Sequence, residues 1–205
     1  MTGRSSSTLV VFALLISACD VQRGAEPAAP KSEESDSGAA KAARKQPAAP
    51  PPRRSLEGKP APAEAVALDS LQRIDLAAAL SNGELSIEVN DPSAKAAIPA
   101  MIDGDPDNLL KTDGVNPLVV TLTFREPIQL RAARAYMAAS PYDWVLEAQP
   151  GEDRLLSANV PERQWSQISL PAAVKTNVVR VEILRLERDD YVHANEIELY
   201  GPAAK

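Results

Sequence analysis

Between Asp103 and Asn108 the chain reads Asp-Gly-Asp-Pro-Asp-Asn, three carboxylates and an amide within six residues. Oxygen donors at this density suit a hard cation such as calcium, which tolerates irregular all-oxygen geometry. Gly104 allows the tight turn that such a loop requires. No glutamate closes the loop at the spacing an EF-hand needs, so the pattern is not that one. The same residues also suit an acidic turn whose side chains accept hydrogen bonds from backbone N–H groups. Nucleophilic chemistry finds little to work with. There is no G-x-S-x-G, one cysteine (Cys19) and one histidine (His193). Asp189 and Asp190 are adjacent, not opposed across a cleft as a glycosidase pair would be. The expectation is a protein that is not an enzyme.

Rigid elements must hold the acidic loop, and from Val66 onward the sequence supplies short strands punctuated by turns. Leu85-Ser86-Ile87-Glu88-Val89 alternates apolar and polar residues, as a half-buried strand does. Leu118, Val120, Leu122 and Phe124 share one face, with Val119, Thr121 and Thr123 on the other. Further strands are expected over 128–139, 143–149, 165–170, 177–186 and 194–200. Pro117, Pro127, Pro141, Pro150, Pro161 and Pro171 fall between these runs, where a missing N–H does least harm to a ladder. One helix is expected from Leu71 to Leu80, stopped at Asn82-Gly83. Val179, Val181 and Ile183 share a face while Leu184 and Leu186 lie on the opposite one, which predicts a bulge near Ile183. Seven or eight short strands with regular turn signals predict an all-β fold, an antiparallel β-sandwich, over 66–205.

The amino terminus has a different composition. Arg4 precedes an apolar run from Leu9 to Ile16, followed by Ser17, Ala18 and the lone Cys19. A charged start, a short apolar core and small residues at the end are the marks of a secretory signal. The run falls short of the ~20 apolar residues that cross a bilayer. Ile16-Ser17-Ala18-Cys19 resembles the bacterial lipobox, which implies a signal peptide over 1–18 and lipidation of Cys19. The membrane is then a partner through that lipid, in a bacterial cell envelope. Asp20 resembles an enteric inner-membrane retention signal, but the choice between inner and outer membrane stays open. A secreted chain with a chance cysteine is the alternative. Residues 19–65 are rich in Ala, Pro, Ser, Glu and Lys with few large apolar side chains, so a disordered tether is expected. Such a tether reaches between ~40 Å as a coil and ~140 Å fully extended.

Charge is uneven along the chain. Residues 20–65 carry eight Lys/Arg against seven Asp/Glu, a net of +1, whereas residues 66–205 carry 13 against 21, a net of −8. An acidic domain is poorly suited to a phosphate backbone, so no nucleic acid is expected as a partner. With no cysteine beyond Cys19, the domain cannot use disulfides or zinc thiolates.

Ile102-Asp103-Gly104-Asp105 and, about ninety residues later, Asn195-Glu196-Ile197-Glu198-Leu199-Tyr200-Gly201 together carry a resemblance. With Asn177-Val178-Val179-Arg180-Val181-Glu182-Ile183, their order and spacing resemble the discoidin-like family. This is the coagulation-factor type C, galactose-binding-like jelly roll, matched over about residues 85–201. The resemblance implies that the acidic loop and the last strand lie side by side. It implies a structural calcium held by Asp103, Asp105, Asn108 and Glu196, with the backbone carbonyls of Ala100 and Asn195. Many members have Thr and, two residues later, Trp after the acidic loop; this chain has Asn108 and Leu110. A sugar site in that fold lies on loops at one end of the sandwich. The implied ligand residues here are Tyr142, Trp165, Arg188, Tyr191 and His193: ring faces to stack on a sugar and polar groups to hold its hydroxyls. Trp144, inside a strand pattern, is expected in the core. Two functions follow as expectations. One is a membrane-anchored, non-catalytic module that binds a glycan or envelope polymer. The other is an accessory lipoprotein whose sandwich docks a protein partner.

Overall fold

The computed structural model describes residues 54–148, 153–187 and 190–203. The signal, Cys19, residues 19–53 of the expected tether and Arg188 lie outside them. In chain order the strands are β1 (Lys59–Pro60), β2 (Leu71–Arg73), β3 (Leu85–Val89), β4 (Leu110–Lys111), β5 (Leu118–Met137), β6 (Tyr142–Glu147), β7 (Arg154–Val160), β8 (Gln164–Arg185), β9 (His193–Ala194) and β10 (Glu196–Pro202).

Two long strands, β5 and β8, form the spine. The amino-terminal half of β5 pairs with β3 and with the carboxy-terminal half of β8, which continues through β6 and β7. The other half of β5 pairs with the start of β8 and with β10, whose far edge takes β2. The result is the expected β-sandwich of two layers. β5 and β8 pass from one layer to the other where their register shifts, between Thr123 and Ile128 and between Leu130 and Ala132. Pro127 and the stretch opposite Leu130–Ala132, which contains Pro171, sit at these shifts. These two prolines therefore lie inside long strands and not between short ones. A bend already breaks the ladder there, so the absent N–H costs little.

The bulge expected near Ile183 is not formed. Leu118 pairs with Ile183 and Asp143 with Leu184 in unbroken register. Ile183 and Leu184 are both buried because both faces of β8 are covered at this point. The helix is also shorter than expected. Leu71–Arg73 is taken by β10 as a strand, and only Leu76–Ser81 is helical. Asp75 starts it by accepting the Ala78 N–H at 2.9 Å, an N-cap bond. The strand β7 and a ten-residue 3-10 segment, Pro92–Met101, were not expected from sequence.

The core between the layers is built from Leu118, Leu122, Leu130, Leu146, Ile168, Ile197 and Trp144, all inaccessible to solvent. Each such side chain contributes about 1.5–3 kcal/mol by leaving water. Trp144 lies there as expected, and its indole N–H donates to Ser166 Oγ at 2.9 Å. Gly201 marks the tightest approach: a Cβ would sit 2.6 Å from the Gln129 carbonyl oxygen.

Part of the stretch expected as tether, residues 54–65, lies on the sandwich. β1 adds to the edge of β7 in parallel, and the Ala61 N–H donates to the Leu156 carbonyl at 2.8 Å. The Val66 N–H donates to Ser169 Oγ, and Gln167 donates back to the Val66 carbonyl. Arg54 donates to the Asn116 carbonyl at 2.9 Å. Among the described residues no helix is long and apolar enough to cross a membrane.

Candidate functional site

The acidic loop and β10 do lie side by side. Asn195 is buried, and its amide donates to the carbonyls of Pro106 and Asn108, each at 3.1 Å. Its side-chain oxygen accepts the Ala138 N–H at 2.9 Å. Glu196 Oε1 accepts the Gly104 N–H at 3.2 Å, where Gly104 has a φ of +86° that disfavours any side chain. Protein groups therefore fasten the loop to the last strand directly. Within the loop the side chains behave as an acidic turn. Asp103 accepts the Asp105 N–H and the Asn108 side-chain amide, and Asp105 accepts the Asp107 N–H. Ala100 stands in the last turn of the 3-10 segment that leads into the loop.

Against calcium, among the described residues no three His, Cys, Asp or Glu side chains gather as a metal-holding group. In its favour, Glu196 is almost fully buried, and its Oε2 meets no hydrogen-bond partner. Burial, with the nearby charges of Glu198 and Asp103, pushes its carboxyl up to about 8. A carboxylate so placed must either keep its proton or be neutralised by a cation. The all-oxygen donor set fits a hard ion in that second case.

The sugar-binding residues expected from sequence are divided. Tyr142 is buried, and its hydroxyl donates to the carbonyls of Ala135 and Gln164; burial raises its pKa well above the ordinary tyrosine value. Its strand position points the ring into the core, so it is not a ligand contact. Trp165 is exposed on the outer face of the layer formed by the start of β8, the end of β5 and β10. Its ring lies 5.3 Å from Tyr136 and beneath the Arg134 guanidinium at 3.9 Å. Arg134 in turn pairs with the buried Glu198, which also accepts from Arg73 and from the Tyr200 hydroxyl.

Tyr191 and His193 do come together, with ring centroids 4.8 Å apart. Two further residues join them that sequence reasoning missed. Lys111 Nζ lies 4.7 Å and the Arg185 guanidinium 4.5 Å from the centre of the Tyr191 ring. The fold builds this cluster from three segments. Short strands β4 and β9 pair Lys111 with His193. Asn116 holds the Arg185 backbone from both sides, donating to its carbonyl and accepting its N–H. Arg185 Nε donates to Ser140 Oγ at 2.7 Å, while its Nη1 is buried with no hydrogen-bond partner. His193 Nε2 is likewise buried and unpartnered. Burial, reinforced by the charges of Arg185 and Lys111, holds the imidazole below its ordinary pKa. The cluster thus offers hydrogen-bond donors and an aromatic ring at one end of the sandwich, a combination suited to binding.

No family model matches the chain, and no curated protein matches it. Solved structures similar to it include the family 32 CBM of C. perfringens NanJ in complex with galactose. That pair is 10% identical with a TM-score of 0.43, covering 58% of this chain and 94% of the other. An F5/8 type C domain from Bacteroides fragilis is 15% identical with a TM-score of 0.46, covering 66% and 99%. The lectin domain of lectinolysin complexed with Lewis B antigen is 13% identical with a TM-score of 0.45, covering 58% and 93%.

Proposed function

We propose that this chain is a non-catalytic, membrane-anchored binding module that presents the Tyr191 cluster to a glycan or envelope polymer. The observation that carries the reading is the convergence of Tyr191, His193, Lys111 and Arg185. Polar donors beside an aromatic ring are what a hydroxyl-rich ring requires. The lipid on Cys19 and the tether hold the module in the cell envelope, and calcium on Glu196, Asp103, Asp105 and Asn108 has only a structural role. The test is a glycan array probed with the purified full chain, followed by calorimetry on the hits. Binding that is lost in Tyr191→Ala supports the reading, and an array without hits overturns it. Release of a Cys19→Ala chain from the membrane fraction tests the anchor separately.

A second reading is favoured by Trp165. A solvent-facing indole stacked with an arginine is the type of residue that anchors protein interfaces. A stoichiometric protein partner that co-purifies with the wild type and is lost in Trp165→Ala, with an empty glycan array, would establish the docking function instead.

A further inference from the structure

Three groups able to carry positive charge surround the ring of Tyr191, in a domain whose net charge is strongly negative. Among the described residues neither Lys111 nor Arg185 has a carboxylate within ion-pair distance, although other arginines of the domain do. A ring face offsets part of the repulsion between neighbouring cations, since its quadrupole attracts each of them. It supplies no acceptor for a guanidinium N–H. Among the described residues Arg185 Nη1 has no hydrogen-bond partner, and it is closed to solvent. The cluster therefore holds positive charge that no described carboxylate balances, and an anion brought by a ligand would offset it.

We propose that the Tyr191 cluster selects glycans bearing a carboxylate, an inference that rests on the glycan-binding reading above and narrows it. The exposed Lys111 ammonium pairs with the carboxylate, and the partly exposed Arg185 guanidinium adds a second positive charge. Guanidinium groups suit carboxylates because their N–H donors match the planar oxygen pair. Tyr191 keeps the two cations within reach of one anion. The rest of the domain, net negative, repels an acidic polymer and so confines its contact to this patch.

The test uses the purified full chain on an array holding neutral and carboxylated glycans in equal number. Calorimetry then compares an oligoglucuronate tetrasaccharide with the same oligosaccharide fully methyl-esterified. The expected result is retention of carboxylated glycans and about tenfold or greater loss of affinity on esterification, as one charge-assisted hydrogen bond implies. Lys111→Gln, at an exposed position, and Arg185→Gln should each reduce the difference between acid and ester without moving the melting temperature of Lys111→Gln. Binding of neutral glycans alone, or equal affinity for acid and ester, overturns this inference and leaves the glycan-binding reading intact. No glycan bound at all overturns both.

Discussion

Thr112 and Val192 are fastened to each other in both directions: the Thr112 N–H donates to the Val192 carbonyl at 3.0 Å, and the Val192 N–H donates to Thr112 Oγ1 at 2.7 Å. The same hydroxyl donates to the Val115 carbonyl at 2.6 Å. Thr112 follows Lys111 and Val192 separates Tyr191 from His193, so this pair sets the geometry of the cationic cluster from within the protein. Replacing Thr112 by Val keeps its shape and leaves the buried Val192 N–H and the partly buried Val115 carbonyl without that partner. The expected loss is about 1–3 kcal/mol, read as a fall of a few degrees in a thermal melt. An unchanged melt would mean that water or a neighbour takes over both bonds.

Calcium should raise the melting temperature of the full chain by a few degrees relative to excess EDTA, because a metal held only by the folded state stabilises it by mass action. Glu196→Gln retains an acceptor for the Gly104 N–H while removing the charge. Its melt should be indifferent to both additions and should lie at or above that of the EDTA-treated wild type. A calcium response that survives Glu196→Gln, or a wild type that never responds, would end the calcium proposal.

The pH dependence turns on His193. Its folded pKa lies below the ordinary value of 6.5, chiefly through burial. The unfolded chain therefore binds the extra proton first as the pH falls. The stability that a neutral His193 confers is complete above 6.5 and is lost as the pH drops through the folded value. Urea midpoints measured between pH 8 and pH 5 should fall more steeply for the wild type than for His193→Gln. Parallel curves would show that the imidazole is not held neutral.

Glu198 is the acceptor for Arg134, Arg73 and the Tyr200 hydroxyl, and those bonds hold its pKa below the ordinary carboxylate value despite its burial. Glu198→Ala strips three donors of their acceptor and frees Arg134 above Trp165. A destabilisation of about 2–3 kcal/mol is expected, lessened by the access of Arg73 to water. Trp165 fluorescence in the folded protein should change at the same time. A variant as stable as the wild type would show that solvent replaces the network.

Alternation made the sandwich legible: Leu85–Val89 and Leu118–Phe124 carry a period of two that only a half-buried strand explains. The partnership of the acidic loop with Asn195 and Glu196 was legible through motif order. Other features depend on neighbours that local pattern does not contain. Ile183 and Leu184 read as a phase change because nothing in their own segment reveals that both faces are covered. Leu71–Arg73 has helical spacing, but the open edge of β10 takes it as a strand, a tertiary override of local preference. Tyr142 looks like a loop aromatic until its place at the start of β6 turns it inward. Lys111 and Arg185 carried no signal at all. Lys111 is distant in sequence from Tyr191 and meets it only through the pairing of β4 with β9, while Arg185 is ordinary strand-end chemistry until Asn116 fixes its backbone.

The parallel addition of β1 to β7 has a colloidal consequence. An uncovered strand edge is a template on which a second chain can polymerise. Here the domain seals that edge with its own lead-in, and Pro60 lacks the N–H that would extend the ladder outward. Many copies crowded on one surface can therefore stand shoulder to shoulder without knitting into a continuous sheet through this edge. A chain cut back to Val66 would lose that safeguard and become prone to fibre formation at high concentration.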